Sequence, residues 1–307
     1  MLLKGCGLSN LTTCHGVSGV VAAHVMRRLT VRTVPLFSDN FAYILETSTG
    51  GLLVVDPADP RPVLAEIGDR ALDAVLTTHK HDDHTAGNAA VHAAHPRCAV
   101  VGPRAEAADI PALTLAVDGG DVLTTLVGGA HVAVLATGCH TRGHVAYVVR
   151  AKEASAEEAA EEAAEEAAPA HLFCGDTLFV SGCGRFFEGG GADMLAALDA
   201  FASLPDDTLV WCGHEYTEAN CRFAAALEPE SARAAERLAW AEGCAERGEH
   251  SVPVTLGAER ELNPFMRVRE ASVAAAVAAF DNGVEADVAR DDPAAVMSAL
   301  RRHKDRF

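Results

Sequence analysis

The stretch 74–78 is short and apolar enough to read as a β-strand, and it runs straight into His79-Lys80-His81-Asp82-Asp83-His84. No other feature of the sequence narrows the fold so much. In an extended chain, residues two apart share a face, so His79 and His81 can grip one cation together. Asp83 and His84 come where the chain turns into the next helix, and they can face a second cation beside the first. Imidazole together with carboxylate suits zinc, manganese or iron. Three His and two Asp within six residues at a strand end weigh against a surface cluster that only caps a helix. Two cations also need further donors, so other strand ends must come to meet this one.

Candidates recur along the chain. His144 lies in Gly138-Cys139-His140-Thr141-Arg142-Gly143-His144, just before a strand, Asp176 in Cys174-Gly175-Asp176-Thr177, and His214 in Trp211-Cys212-Gly213-His214-Glu215. Each is a ligand type at a strand edge, beside small residues that allow close backbone approach. His140 is ambiguous, either a donor itself or a residue that supports one.

The apolar segments 29–36, 41–47, 52–56, 74–78, 98–101, 122–126, 132–137, 145–149, 172–174 and 208–212 read as strands, with helices at 85–95 and 192–204. After Tyr216 the texture changes, and 217–227, 230–247, 270–281 and 293–302 all read as helices. This pattern predicts an α/β body over 29–216 and a helical domain over 217–307. The stretch 151–170 interrupts the body with seven Glu among alanines and no larger aliphatic or aromatic side chain. It has nothing with which to dock, and reads as a solvated insertion between two strands. The first 38 residues hold no Asp or Glu but carry Lys4, Arg27, Arg28 and Arg32. Residues 1–28 therefore resemble an organellar transit peptide, with a start at Met26 or a loose tail as the alternatives. An intracellular site follows, mitochondrial or plastid if that segment is an address and cytoplasmic otherwise.

The chain as a whole is acidic, with 43 Asp+Glu against 25 Lys+Arg and a net charge of −18. That weighs against nucleic acid or an anionic membrane as partner, and no apolar run approaches a bilayer span. It leaves room for a small anion in a local basic pocket. Nine scattered cysteines with no CxxC pair read as reduced thiols.

The wording of the segments THKHDDH, GCHTRGHVAY, GDTLFVSGCGRFFEG, CGHEYT and NPFMRVRE resembles glyoxalase II, the hydroxyacylglutathione hydrolases of the metallo-β-lactamase superfamily, over roughly residues 30 to 307. The resemblance implies a four-layer αβ/βα sandwich with a C-terminal α-helical domain. It implies two divalent cations, zinc foremost with iron or manganese as alternatives. One would be held by His79, His81 and His144 and the other by Asp83, His84 and His214, with Asp176 bridging. His140 and Asp82 then fall to supporting roles. The implied reaction is hydrolysis of S-D-lactoylglutathione and related 2-hydroxyacylglutathione thioesters, in methylglyoxal detoxification, with metal-activated water as nucleophile and Asp83, Asp176 and Tyr216 as the catalytic side chains. Neither Ser181 nor Cys183 has an obvious base dyad, and Cys183 reads as a packed small residue.

For the substrate, the resemblance implies contacts from Arg185, Phe186, Phe187, His214, Glu215, Tyr216, Arg301 and Lys304. Arg301 and Lys304, one helical turn apart, would take the glycine carboxylate of glutathione; without the resemblance they read as a solvated basic helix end. Arg185 stands where the family usually has Lys, and Phe187 where Tyr is usual, so one hydroxyl contact is absent. The small-molecule thioester is then the expected partner, for a monomer. The alternative within the same fold is a glutathione persulfide dioxygenase with a single iron, which the complete second donor set disfavours.

Overall fold

The computed structural model describes residues 29–152, 168–283 and 287–307. The predicted N-terminal extension and most of the Ala/Glu-rich insertion lie outside the described residues. Strand β2 (Asn40–Thr47) sets the architecture, because almost every residue in it is buried. Phe41, Tyr43 and Leu45 face one core, while Ala42 and Ile44 face another. A strand buried on both faces needs a layer on each side, and an unbroken apolar run is its sequence mark.

The first sheet has six strands in the order β1 (Leu29–Leu36), β2, β3 (Leu52–Val55), β4 (Ala74–Leu76), β5 (Ala99–Pro103) and β6 (Leu115–Val117). It is antiparallel from β1 to β3 and parallel from β3 onward. Helices α1 (Pro60–Ile67) and α3 (Asn88–Ala94) pack Val63, Ile67 and Val91 against the face that carries Ile44 and Val54. The second sheet runs β14 (Val254–Thr255), β13 (Leu209–Cys212), β10 (His171–Gly175), β9 (Val145–Ala151), β8 (Ala130–Ala136) and β7 (Val122–Leu123). Its Tyr147, Phe173 and Trp211 meet Tyr43 and Leu45 in one continuous core, and each fully buried large apolar side chain contributes roughly 1.5 to 3 kcal/mol. A small hairpin, β11 (Leu178–Phe179) with β12 (Gly182–Cys183), follows β10. Helices α4 (Gly191–Asp199), α5 (Thr217–Leu227), α8 (Ala271–Gly283) and α9 (Pro293–Arg306) join the same core through Met194, Phe223, Val277 and Met297. Two further helices, α6 (Ala232–Arg247) and α7 (Leu256–Leu262), complete the C-terminal part. The sandwich of two mixed sheets with C-terminal helices is the fold expected from the sequence. Among the described residues no helix is long and apolar enough to cross a membrane.

Three local differences bear on the site. The single helix expected over 85–95 is two, α2 (Asp82–Thr85) and α3. The break falls at Gly87, where a Cβ would lie 1.8 Å from the Pro57 carbonyl oxygen, so the chain turns where only glycine fits. Asp83 and His84 consequently ride on α2 itself. Helix α1 went unread, although Asp59 caps it by accepting the Arg61 N–H and Pro60 opens it. Strand β14, between the helices expected over 230–247 and 270–281, pairs antiparallel with β13, so the C-terminal part supplies an edge strand to the second sheet.

Candidate metal centre

The two sheets meet at their strand ends. Asn40, at the start of β2, forms a bridge with His214, just past β13, and the donor residues gather around that seam. His79 follows β4 and is fully buried, with Nε2 3.0 Å from His81 Nδ1. His140 Nε2 lies 3.0 Å from the same His81 nitrogen. His140 Nδ1 is 3.0 Å from the Arg185 carbonyl oxygen. Donation of Nδ1–H to that carbonyl leaves a lone pair on Nε2 facing the cluster. On the other side, His214 Nε2 lies 3.4 Å from Asp83 Oδ2. Asp176 sits between, with Oδ1 3.4 Å from His84 Nε2 and Oδ2 3.3 Å from His214 Nε2 and 3.5 Å from His140 Nε2. Three groups of mutually close donors result: His79, His81 and His140; His79, His84 and Asp176; Asp83, His84 and His214.

This arrangement departs from the expected distribution at one position. His144, not His140, was expected to complete the set with His79 and His81. In the structure both ring nitrogens of His144 have protein partners. Its Nδ1 is 2.9 Å from Thr137 Oγ1 and 3.2 Å from Thr177 Oγ1, and its Nε2 accepts the Asp176 N–H at 3.1 Å. His144 therefore fixes the backbone of Asp176, while His140 turns its Nε2 toward His81 and Asp176, which are themselves candidate donors.

The donor set fits a pair of cations. His84 Nε2 and Asp176 Oδ1 are buried polar atoms without a hydrogen-bond partner, aimed at one another's neighbourhood, and such orphans are costly unless something completes them. The far nitrogens are pinned: His84 Nδ1 lies 3.0 Å from Asp56 Oδ2 and His214 Nδ1 2.8 Å from Asp39 Oδ1. Carboxylates behind imidazoles in this way orient metal ligands and raise their basicity. The electrostatics agree. Burial opposes a charge on Asp176, yet His84 and His214 outweigh it and hold the carboxyl well below its ordinary range. Burial likewise opposes charge on His84 and His214, and Asp176 with Asp56 or Asp39 overcomes it, raising both. Burial pushes His79, His140 and His144 the other way, with neighbouring imidazoles adding to it. Cations entering here would displace protons from His84 and His214.

Asp39, Asn40 and Asp56 were not singled out as functional from the sequence. Asp39-Asn40 read only as a turn and Asp56 only as a strand end. Asn40 Nδ2 donates to the Asp83 carbonyl and carboxylate at 3.0 and 3.2 Å. Asp56 accepts from the Thr78 N–H and hydroxyl as well as from His84, and holds a positive φ of 48° to do so. Such left-handed non-glycine residues concentrate at functional sites.

A pocket of about 770 Å³ opens from this cluster and is lined by His81, Asp83, His140, Asp176 and His214 together with Arg301 and Lys304. Arg185, Phe187 and Tyr216 also line it, and so does Asp82. The Phe187 ring lies edge-on to His81 and tilted over His140, at 5.8 and 5.0 Å between centroids. Tyr216 stacks on His214 at 4.7 Å. Arg301 is buried, donating to the Cys183 carbonyl at 2.8 Å and pairing with Asp305 at 3.0 Å. Lys304 donates to the Ala219 carbonyl at 2.8 Å, and burial, with Arg301 adding to it, lowers its pKa to about 8. Two expected substrate contacts lie elsewhere. The Glu215 carboxylate holds the N–H and hydroxyl of Ser251 at 2.8 and 2.6 Å, and Phe186 packs against the core; neither lines the pocket. Cys183 is buried and its thiol is pushed up to about 12, chiefly by that burial, which removes it as a nucleophile.

Comparisons with known proteins agree with this geometry. The family described as Metallo-beta-lactamase superfamily matches residues 37–156, and that described as Hydroxyacylglutathione hydrolase C-terminus matches residues 215–307. The chain is 43% identical over 288 residues to a hydroxyacylglutathione hydrolase of Cupriavidus taiwanensis, covering 91% of this chain and 99% of that protein. It is 37% identical over 281 residues to a hydroxyacylglutathione hydrolase of Aliivibrio salmonicida, covering 91% of this chain and 100% of that one. Among solved structures, a metallo-β-lactamase from Staphylococcus aureus superposes with a TM-score of 0.56 at 19% identity, covering 90% of this chain and 73% of the other. That likeness is one of fold.

Proposed function

The chain belongs to the hydroxyacylglutathione hydrolase family on the metallo-β-lactamase fold, and from that premise we propose how its own residues carry the reaction. It hydrolyses 2-hydroxyacylglutathione thioesters to glutathione and the 2-hydroxy acid, and we assign S-D-lactoylglutathione as the substrate. The observation that carries this reading is the single pocket joining the His/Asp cluster to Arg301 and Lys304. A reacting thioester and an anionic tail are thereby accommodated at once.

His79, His81 and His140 would hold one cation and Asp83, His84 and His214 the other, with Asp176 shared between them. Two divalent cations side by side acidify a shared water and polarise a carbonyl oxygen. The donor types suit zinc, and equally iron or manganese. Asp56, Asp39 and the Arg185 carbonyl keep the rings turned so that His84, His214 and His140 present Nε2 to the centre. Lys304 and Arg301 would take the glycine carboxylate of the tripeptide, Arg185 its other charged end, and Tyr216 its backbone. Phe187, 59% exposed, would lie along the thioester arm above His81 and His140. On this reading residues 29–216 are the catalytic part, and 217–307 supply Lys304 and Arg301 to hold the substrate.

The test is direct. Purified protein should carry two equivalents of divalent metal and cleave S-D-lactoylglutathione, and chelation should abolish cleavage. Fully metal-loaded protein that leaves this thioester intact would sink the assignment. Oxygen consumption with glutathione persulfide would replace it by the single-iron alternative.

A further inference from the structure

Two carboxylates that belong to neither donor group nor pocket lining tie together the loops that carry the donors. Glu106 stands on a 3₁₀ turn (Arg104–Glu106) directly after β5 and is buried. Its Oε2 accepts the N–H of Lys80 at 2.8 Å, and its Oε1 accepts the N–H of Gly143 at 2.9 Å. Lys80 lies between His79 and His81; Gly143 lies between His140 and His144. One rigid carboxylate therefore spans the two loops whose histidines form the first donor group. The fit is close, since a Cβ on Gly143 would fall 2.6 Å from Glu106 Cγ. Glu188 repeats the span nearer solvent. Its Oε1 pairs with Lys80 Nζ and its Oε2 accepts the Arg142 N–H, both at 2.7 Å.

We infer that Glu106 is a positioning residue that sets the separation of His79 and His81 from His140, with Glu188 as an outer second brace. The inference rests on the metal-centre reading above. The two oxygens of a carboxylate keep a fixed distance, so the two amides, and the loops behind them, cannot slide independently. Neither amide has another use for its proton, and a buried N–H is paired in almost every native fold. A neutral amide in the same place would keep one acceptor and turn a donor toward the other N–H.

The experiment compares metal affinity with folding. In Glu106→Gln, competition against a chromophoric chelator should show the weaker-held cation released at least about tenfold more readily than from wild type, as loss of a ligand-supporting group typically gives. The visible spectrum of the cobalt-substituted protein should shift, and Glu188→Gln should loosen the cation less. If Glu106→Gln lowers the melting temperature of metal-free protein but binds cations with wild-type affinity and an unchanged cobalt spectrum, its role is structural only and the inference is overturned. Should that variant not fold, Gly143→Ala, which forces the loop off Glu106 without removing charge, must show the same loosening; wild-type affinity there overturns it too. Wild-type protein that binds no cation would instead overturn the metal-centre reading itself, and the inference with it.

Discussion

Within the segment GCHTRGH the two histidines are four residues apart and chemically alike, so the choice between them is made entirely by their surroundings. Thr137, Thr177 and the Asp176 N–H surround the ring of His144, whereas only the Arg185 carbonyl engages the far nitrogen of His140. His140→Ala should thus lose one cation at chelator concentrations that wild type withstands, measured by metal analysis after dialysis. His144→Ala should keep both cations at reduced affinity. The opposite order would restore the distribution expected from the sequence. That order could not be read there, because threonine hydroxyls 7 and 33 residues from His144 carry the decision. The run at residues 79–84 was legible for the converse reason: its donors are neighbours in the chain and a strand end fixes their directions. Asp39 meets His214 across 175 residues, and nothing in a turn dipeptide announces that. Lys304 gives a second prediction. Burial brings its pKa down from 10.5 to about 8, so it is charged below pH 8 and neutral above. A carboxylate ligand favours the charged form, so binding should be full below pH 8 and weaken as pH rises through it. Calorimetric titration with S-methylglutathione across pH 6.5 to 9.5 should show this, and Lys304→Arg should remove the Lys304 component of the fall.

At the level of elements, the hairpin β11–β12 forms part of the pocket floor, with Phe179 and Cys183 lining it, and it is held from behind by the C-terminal part. Asn263 Nδ2 donates to the carbonyls of Phe179 and Gly182 at 3.2 and 2.9 Å and to Glu259 at 3.0 Å. Glu259, buried and paired with Arg237 at 2.8 Å, accepts the Ser181 N–H. This bracing holds Ser181 at a positive φ of 56°. Asn263→Ala removes these three hydrogen bonds and the one its Oδ1 accepts from the Phe265 N–H, and should cost roughly 2 to 4 kcal/mol in urea unfolding. It should also raise KM more than it lowers kcat, because the hairpin touches substrate space and not the cations. A loss confined to kcat would argue that the hairpin acts on the centre itself. The segment NPFMRVRE stood out in the sequence as a family mark, but its physical role was hidden. An asparagine that satisfies carbonyls over 80 residues upstream looks, in one dimension, like a helix terminator before proline.

Across the whole molecule, an α/β body followed by a helical part was legible because apolar strands alternate with turns and then give way to helical texture, whereas the layering of that body into a sandwich came only from the family resemblance. The antiparallel β9–β10 pair also explains why a long acidic insertion is tolerated. His171 faces Val149 and Phe173 faces Tyr147 across that pair, so the sheet needs only a short connection there. Removing residues 153–167 should leave kcat/KM within about twofold of the full chain, since loop length is thermodynamically inexpensive; a larger loss would give the insertion a catalytic task. The bridge between Asn40 and His214 has a further consequence, which concerns order in time. The donors near the first sheet come from residues 79–84, while Asp176 and His214 arrive only when β10 and β13 have docked. Contacts so distant in sequence form slowly, because the intervening chain must first be ordered. A nascent chain that has finished only its first sheet holds half a chelate. Cation capture would therefore report the closing of the molecule.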